Sequence, residues 1–365
     1  MFMRVFLLLA LALFILIPTT FAQEIQPQEK KHEAEIVKIL EEKEIEVMGK
    51  KQLYQKLELD LQNSDENITL ENGNFPVVNV QKFRVGDNVM VSEITGPQGN
   101  KSYYISDFIR KTPLFWLFAI FAVLTVLVGK KRGLMSLIGM AGTFLVIFYF
   151  ILPQISSGND PILISILASA IILPATLYLS HGINKKTHAA LLGTFLSLVI
   201  TGILANLFVE WAKLTGFASE EAGFLQASKQ GLINIRGLLL AGIIIGVLGI
   251  LDDVTVAQAS VVAQLKKTST SLKFGELYKK AMEIGRDHIA SVVNTLVLVY
   301  TGAALPLLLL FIDNPAPFGQ TINQEIIAEE VVRTLVASIG LILAVPITTV
   351  ISAYIFSKKR VHELG

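Results

Sequence analysis

No cysteine occurs anywhere in the 365 residues. That excludes disulfides, thiol nucleophiles, CxxC redox motifs and thiolate-held zinc or iron–sulfur centres. It also suits a chain whose exposed parts meet an oxidising compartment. Charge is scarce: Asp, Glu, Lys and Arg make up 17% of the residues, against about 25% in a soluble domain. The 31 basic and 30 acidic side chains nearly cancel, so net charge argues neither for nor against a polyanionic partner. Sequence patterns that carry hydrolytic or nucleotide chemistry are missing as well. There is no HExxH, no GxSxG and no Walker loop, so neither an enzyme nor a cofactor is expected.

What is present is apolar: 52% of the chain is hydrophobic and the mean hydropathy is +0.58. The few charges are unevenly placed. Residues 23–111 hold 12 basic and 16 acidic side chains, and the 254 residues from Thr112 hold 18 and 14. That split predicts an exported soluble module followed by a membrane body. Residues 1–22 form a third class. Arg4 precedes an apolar run from Val5 to Ile17, then Pro18 and the small-residue end Thr20-Phe21-Ala22, the layout of a secretory signal peptide.

The module, residues 23–110, alternates apolar and polar side chains over 34–40, 52–61, 67–70 and 88–94, the period of half-buried strands. Glu71-Asn-Gly73 and Thr95-Gly-Pro-Gln-Gly99 read as turns. A small β-rich barrel of the OB type is expected, and its acidic balance disfavours nucleic acid. Residues 111–358 contain seven apolar segments, near 113–129, 133–152, 161–180, 189–209, 236–252, 289–311 and 333–356. The fold class expected is therefore an α-helical polytopic membrane protein of about seven transmembrane helices carrying an extracytoplasmic β-rich domain. With the module outside, the inner connections and the C-terminal segment 357–360 carry 14 Lys and Arg and the outer ones four. The positive-inside rule then puts the N-terminal domain outside the plasma membrane and the C-terminus in the cytoplasm.

Polar residues within such a body are costly unless paired or hydrated, so their positions are informative. Asp252 and Asp253 end the fifth span, beside Gln258. Two adjacent carboxylates there oppose both the helix dipole and each other's charge, and suit a cation or proton. A wet membrane interface explains them equally well. Arg286, Asp287, His288, Ser291, Asn294 and Thr295 open the sixth span. Asp287 at a helix start is favourable as a cap, and Asn294 and Thr295 should face other helices rather than lipid. Both groups fall on the inner side, and a shared inward-facing ion or solute site is the sharper expectation. Gly249, Gly302, Pro306, Gly340 and Pro346 mark helix kinks or close packing. Within the inner segment 254–284, the stretch Gly275–Glu283 reads as an amphipathic helix on the inner leaflet.

The blocks Gly249–Ser260, Ile284–Leu296, Tyr300–Pro306 and Ser338–Thr349 resemble the YibE/F family of bacterial multi-pass membrane proteins. The resemblance covers about residues 110–358, with small departures at Ala257 and Ala259. It implies fold and membrane location and assigns no catalytic residue. Two functions are expected as alternatives. One is a transporter or permease, cation- or proton-coupled, built on the residues above. The other is a membrane scaffold or envelope sensor acting through the exported module. The partners expected are the lipid bilayer, a small solute or ion and, as an option, a second copy of the chain.

Overall fold

A computed structural model describes residues 30–62, 67–76, 79–95, 100–313 and 317–358. The expected signal peptide, most of the turn at 95–99 and the tail at 359–365 lie outside the described residues. The chain forms two compact units, which divide between Leu124 and Thr125.

The first unit is built on a five-stranded antiparallel sheet: β1 (Lys30–Val47), β2 (Lys50–Leu61), β3 (Asn67–Asn72), β4 (Asn88–Thr95) and β5 (Lys101–Phe108), in the order β3-β2-β1-β4-β5. β1 is long enough to pair with β2 on one side and β4 on the other. It is bent by irregular register between Ile36 and Lys38 and between Ile39 and Glu41. Such irregularities increase local twist, and the edge strands β3 and β5 approach each other. Met48 (φ 50°) and Gly49 (φ 76°) close the β1–β2 hairpin. Two consecutive positive φ values are what a two-residue primed turn requires, and Gly supplies the second without strain. Ala34, Ile36, Leu57, Leu59, Phe83, Val89 and Val91 fill the interior. The four expected strands are all present. β5 was not expected, and its pattern is only half-buried, through Tyr103, Ile105 and Phe108.

α1 (Lys111–Val146) begins in the first unit. It is broken at Lys130 (φ 52°, ψ −134°). A Cβ added at Gly133 would strike the Thr125 carbonyl. Eight residues of continuous helix would hold these about 12 Å apart, so the chain doubles back at Lys130. A π-helical turn (Ile147–Ile151) and α2 (Leu152–Ser156) follow. Next come α3 (Pro161–His181), α4 (Lys185–Trp211), α5 (Glu220–Ser228), α6 (Ile235–Thr268), α7 (Phe274–Ala303), α8 (Leu305–Asp313), α9 (Phe318–Thr321) and α10 (Glu325–Ser357). Side-chain caps start several of them. Asp160 accepts from the Ile162 and Leu163 amides, Asn184 from Thr187 and Asn234 from Gly237, satisfying donors that a helix start leaves open.

Among the described residues, five helical stretches are long and apolar enough to cross a membrane, and six if the bent pair α7–α8 counts as one crossing. That pair turns by 66° at Ala304, two residues before Pro306, where proline's missing N–H frees a carbonyl. α10 runs through Pro346 as one helix. The segment 253–288, expected as an inner loop with a separate amphipathic helix, is instead the continuation of α6 to Thr268, a short link, and the first half of α7.

The second unit packs around α4, α6 and α10, with α3 against α6 and α7 against α10 and α6. Glycine sets how closely the central helices meet. A methyl group at Gly193 of α4 would overlap the Thr348 hydroxyl of α10, and one at Gly340 of α10 would overlap the Thr201 hydroxyl of α4. Such small-residue approaches drive helix association where lipid removes the hydrophobic incentive. Leu173, Ile243, Leu251, Leu341 and Val345 fill the remaining interior.

Candidate functional site

Two ends of the second unit carry carboxylates with a buried, unpartnered oxygen, and they are built differently. At the first end, the loop after α4 is fastened to the start of α10. Glu325 Oε1 accepts from the Thr215 hydroxyl at 2.7 Å, from the Gly216 amide at 3.1 Å and from the Thr215 amide. Gly216 (φ 85°) lies so close to the Ile235 carbonyl that a Cβ there would sit 2.9 Å from it. This lashing places α5, the first turns of α6 and α10, and the last turns of α7 around a cavity of about 640 Å³.

The cavity is mostly apolar, walled by residues such as Leu225, Leu239 and Leu307. Its polar groups are few and convergent: Glu221, Glu329, Glu330, Arg333 and the Tyr300 hydroxyl. Glu330 is engaged by Arg333 Nη1 at 2.7 Å. Glu329 is different. Its residue is 7% exposed, the Ala218 amide donates to its carboxylate, and Oε1 is buried without a hydrogen-bond partner. An unsatisfied charged oxygen in a low-dielectric wall costs several kcal/mol unless something complements it. Size and lining match those of small-molecule sites, which run to about 300–1,000 Å³ with a few placed polar groups. Glu329 is not singled out in the sequence analysis. Its spacing to Val336 and Gly340, seven and eleven residues on, is the signal that marks it as inward-facing.

At the other end, Asp252 is largely buried and its Oδ1 has no hydrogen-bond partner. Asp253 is exposed and lies close enough to His181 of α3 to act on its charge, together with Lys186 and Arg132. Gln258 is 2% exposed and ties three helices together. Its Nε2 donates to the Ala281 carbonyl of α7 at 3.0 Å and to Thr349 Oγ1 of α10 at 2.7 Å, and Thr349 passes its own proton to the Val345 carbonyl. Gly285 makes room for this knot: a Cβ there would meet Val345 Cγ1 at 2.7 Å and the Gln258 amide at 3.0 Å. One helical turn from Gln258, Thr255 bonds Thr194 of α4 at 2.6 Å. Gln258 is thus fully employed in packing.

The sixth-span residues are arranged otherwise. Arg286, Asp287, Ser291, Asn294 and Thr295 are exposed on α7, and His288 is half-buried. The Thr295 hydroxyl returns to the Ser291 carbonyl of its own helix at 3.0 Å. Among the described residues, no hydrogen bond or ion pair joins Asp252 or Asp253 to Asp287 or His288. The structure therefore brings together Asp252 with Asp253, and Gln258 with α7 and α10, but gives the polar side of α7 no partner within the unit. Gly249 and Gly302 meet nothing within 4 Å of an added Cβ, whereas Gly340 is a tight contact.

A second cavity, about 370 Å³, lies between the second half of α1 and α3, with Gly139, Thr143, Ile172 and Pro174 among its walls. It contains no charged residue. Its apolar lining suits a lipid chain better than a polar solute.

No curated protein and no solved structure matches the chain. The family described as YibE/F-like protein matches over residues 117–358, the body that holds both carboxylate sites. On that match, the chain belongs to the YibE/F family.

Proposed function

We propose that the protein is a seven-span transporter of the cell membrane that takes up or expels a small amine-bearing solute. In this reading the Glu329 cavity is the binding site on the extracytoplasmic side. The observation that carries it is that Glu329, whose Oε1 is buried without a hydrogen-bond partner among the described residues, is one of the residues lining a solute-sized, largely apolar cavity. An ammonium group supplies the charge-assisted hydrogen bond that this oxygen lacks. Arg333 and Glu330 neutralise each other beside it, leaving Glu329 and Glu221 to set a negative field.

The span count and orientation belong to the same proposal. The helical stretch Lys111–Ser156 is 46 residues, about 69 Å at 1.5 Å per residue, more than twice the hydrocarbon thickness. Reversal at Lys130 makes it two crossings, and the bent α7–α8 pair supplies another. The basic residues of the inner connections support a cytoplasmic C-terminus and an external β-sheet module. Asp252, midway along α6 and ten residues (about 15 Å) beyond Gly242 of the cavity wall, is then the inner carboxylate, suited to a coupling cation or proton.

The test is uptake into proteoliposomes of a panel of primary amines and amino acids. Glu329→Gln should raise the KM for the transported solute about 10- to 100-fold, the loss of one charge-assisted hydrogen bond. A protein whose function survives Glu329→Gln and Asp252→Asn but is lost on removing residues 30–108 would instead be a scaffold or sensor.

A further inference from the structure

We infer that the exposed polar side of α7 is an interface between two copies of this chain. Around the helix, at 3.6 residues per turn, Lys280, Glu283, Asp287, Ser291 and Thr301 all fall within about 60° of Asn294. Every one of them is exposed. The opposite side, through Leu277, Ala281, Gly285 and Leu296, is buried against the bundle.

The stripe begins in charge and continues as Ser291, Asn294 and Thr301 interleaved with exposed Ala290, Val297 and Leu298. Asn294 is seven residues beyond Asp287, about 10 Å deeper along the axis, inside the apolar run that starts at Ile289. Serine and threonine can return a hydroxyl to their own helix, as Thr295 does. An asparagine amide has two donors and a two-lone-pair acceptor, and among the described residues nothing bonds to this one. Left toward hydrocarbon, such a group costs several kcal/mol.

A second copy fits this stripe better than any other occupant. A two-fold axis along the membrane normal sets Asn294 opposite Asn294, and an amide both gives and accepts, so the pair satisfies itself. Lys280 and Glu283 lie on opposite sides of the Asn294 line. The same axis therefore faces each toward its counterpart of opposite sign on the neighbour, the reciprocal pairing of an isologous interface. The first apolar segment of this chain, residues 114–129, offers only the Thr125 hydroxyl and the Trp116 indole as polar groups and cannot match the stripe.

The natural absence of cysteine makes the experiment direct. Single-cysteine versions of the full chain, Ser291→Cys, Asn294→Cys and Thr301→Cys, are oxidised in native membranes with copper phenanthroline. Ile203→Cys on exposed α4 is the control. Disulfide-linked dimers at 291, 294 and 301, with Ile203→Cys remaining monomeric, are expected. Separately, Asn294→Leu should weaken dimerisation about three- to tenfold in a detergent dilution series, from the worth of one interhelical polar contact. Asn294→Gln should retain it. Monomeric Asn294→Cys protein that still reacts with maleimide overturns the proposal. So does an intramolecular disulfide between Asn294→Cys and Val123→Cys, which would place the chain's own first apolar segment on the stripe.

Discussion

Gly193 and Gly340 control how tightly α4 and α10 meet, because each lies where a methyl group would displace a threonine hydroxyl. Gly193→Val should therefore destabilise the folded unit by about 1–3 kcal/mol, the usual cost of overpacking. It would be read as a fall in the melting temperature of detergent-solubilised protein. Thr348→Ala in the same chain should recover part of that loss by removing the overlapped atoms, whereas Ser338→Ala, elsewhere on α10, should not. Gln258 acts at the same scale by hydrogen bonding. Gln258→Leu leaves the Ala281 carbonyl and the Thr349 hydroxyl without their donor and should cost about 1–3 kcal/mol, measured in the same melts. Periodicity explains why residue roles were only partly legible. Gln258 stood out because it is polar, but polarity alone does not distinguish a ligand from a helix fastener. Glu329 stands among the acids Glu325 and Glu330, and only its register with Val336 and Gly340 sets it apart from them.

Elements were more legible than side-chain roles, since alternation and long apolar runs each report one buried face. β1 to β4 follow from strict alternation. β5 escaped because Tyr103, Tyr104 and Ile105 are consecutive apolar or aromatic residues, which hides in the sequence the alternation of half-buried Tyr103 and Ile105 with exposed Tyr104 and Ser106. The connection between α6 and α7 reads in the sequence as a long inner segment rich in lysine, with Lys266, Lys267 and Lys273 preceding an amphipathic helix that carries Lys279 and Lys280. In the structure these lysines ride on helix ends or on the outer side of α7, and only Ser269–Lys273 is non-helical. Within the sheet, Glu93 of β4 joins Lys101 of β5 at 3.0 Å and His32 of β1 at 3.0 Å. The Lys101 ammonium first, and His32 second, hold its carboxyl below the ordinary value of 4.5. A depressed carboxylate contributes stability that is complete above the unfolded-state value and is lost as pH falls through the folded one. Amide exchange in β1, β4 and β5 should thus accelerate as pH drops below about 4.5, after correction for intrinsic rates. Glu93→Gln should flatten that dependence while leaving α3 to α10 unchanged.

At the scale of the whole molecule, scarce charge is dense in the sheet module and sparse in the helical body, where Asp252 and Glu329 each carry a buried oxygen without a hydrogen-bond partner among the described residues. The orientation proposed from the basic residues has a simple check. In right-side-out vesicles, a cysteine introduced at Met48 in the hairpin turn should react with a membrane-impermeant maleimide, and one at Ser269 should react only after permeabilisation. The opposite pattern would invert the topology and put the Glu329 cavity on the cytoplasmic side.

The central claim is that this cavity recognises an amine through Glu329. Solid-supported-membrane electrophysiology on proteoliposomes, challenged in turn with primary amines and amino acids, addresses it most directly. A charge-displacement current is expected for at least one amine-bearing solute, with its half-saturating concentration raised about 10- to 100-fold in Glu329→Gln and unchanged in Asp287→Asn. A current of undiminished size and affinity in Glu329→Gln, or none for any amine in the unaltered protein, would contradict it.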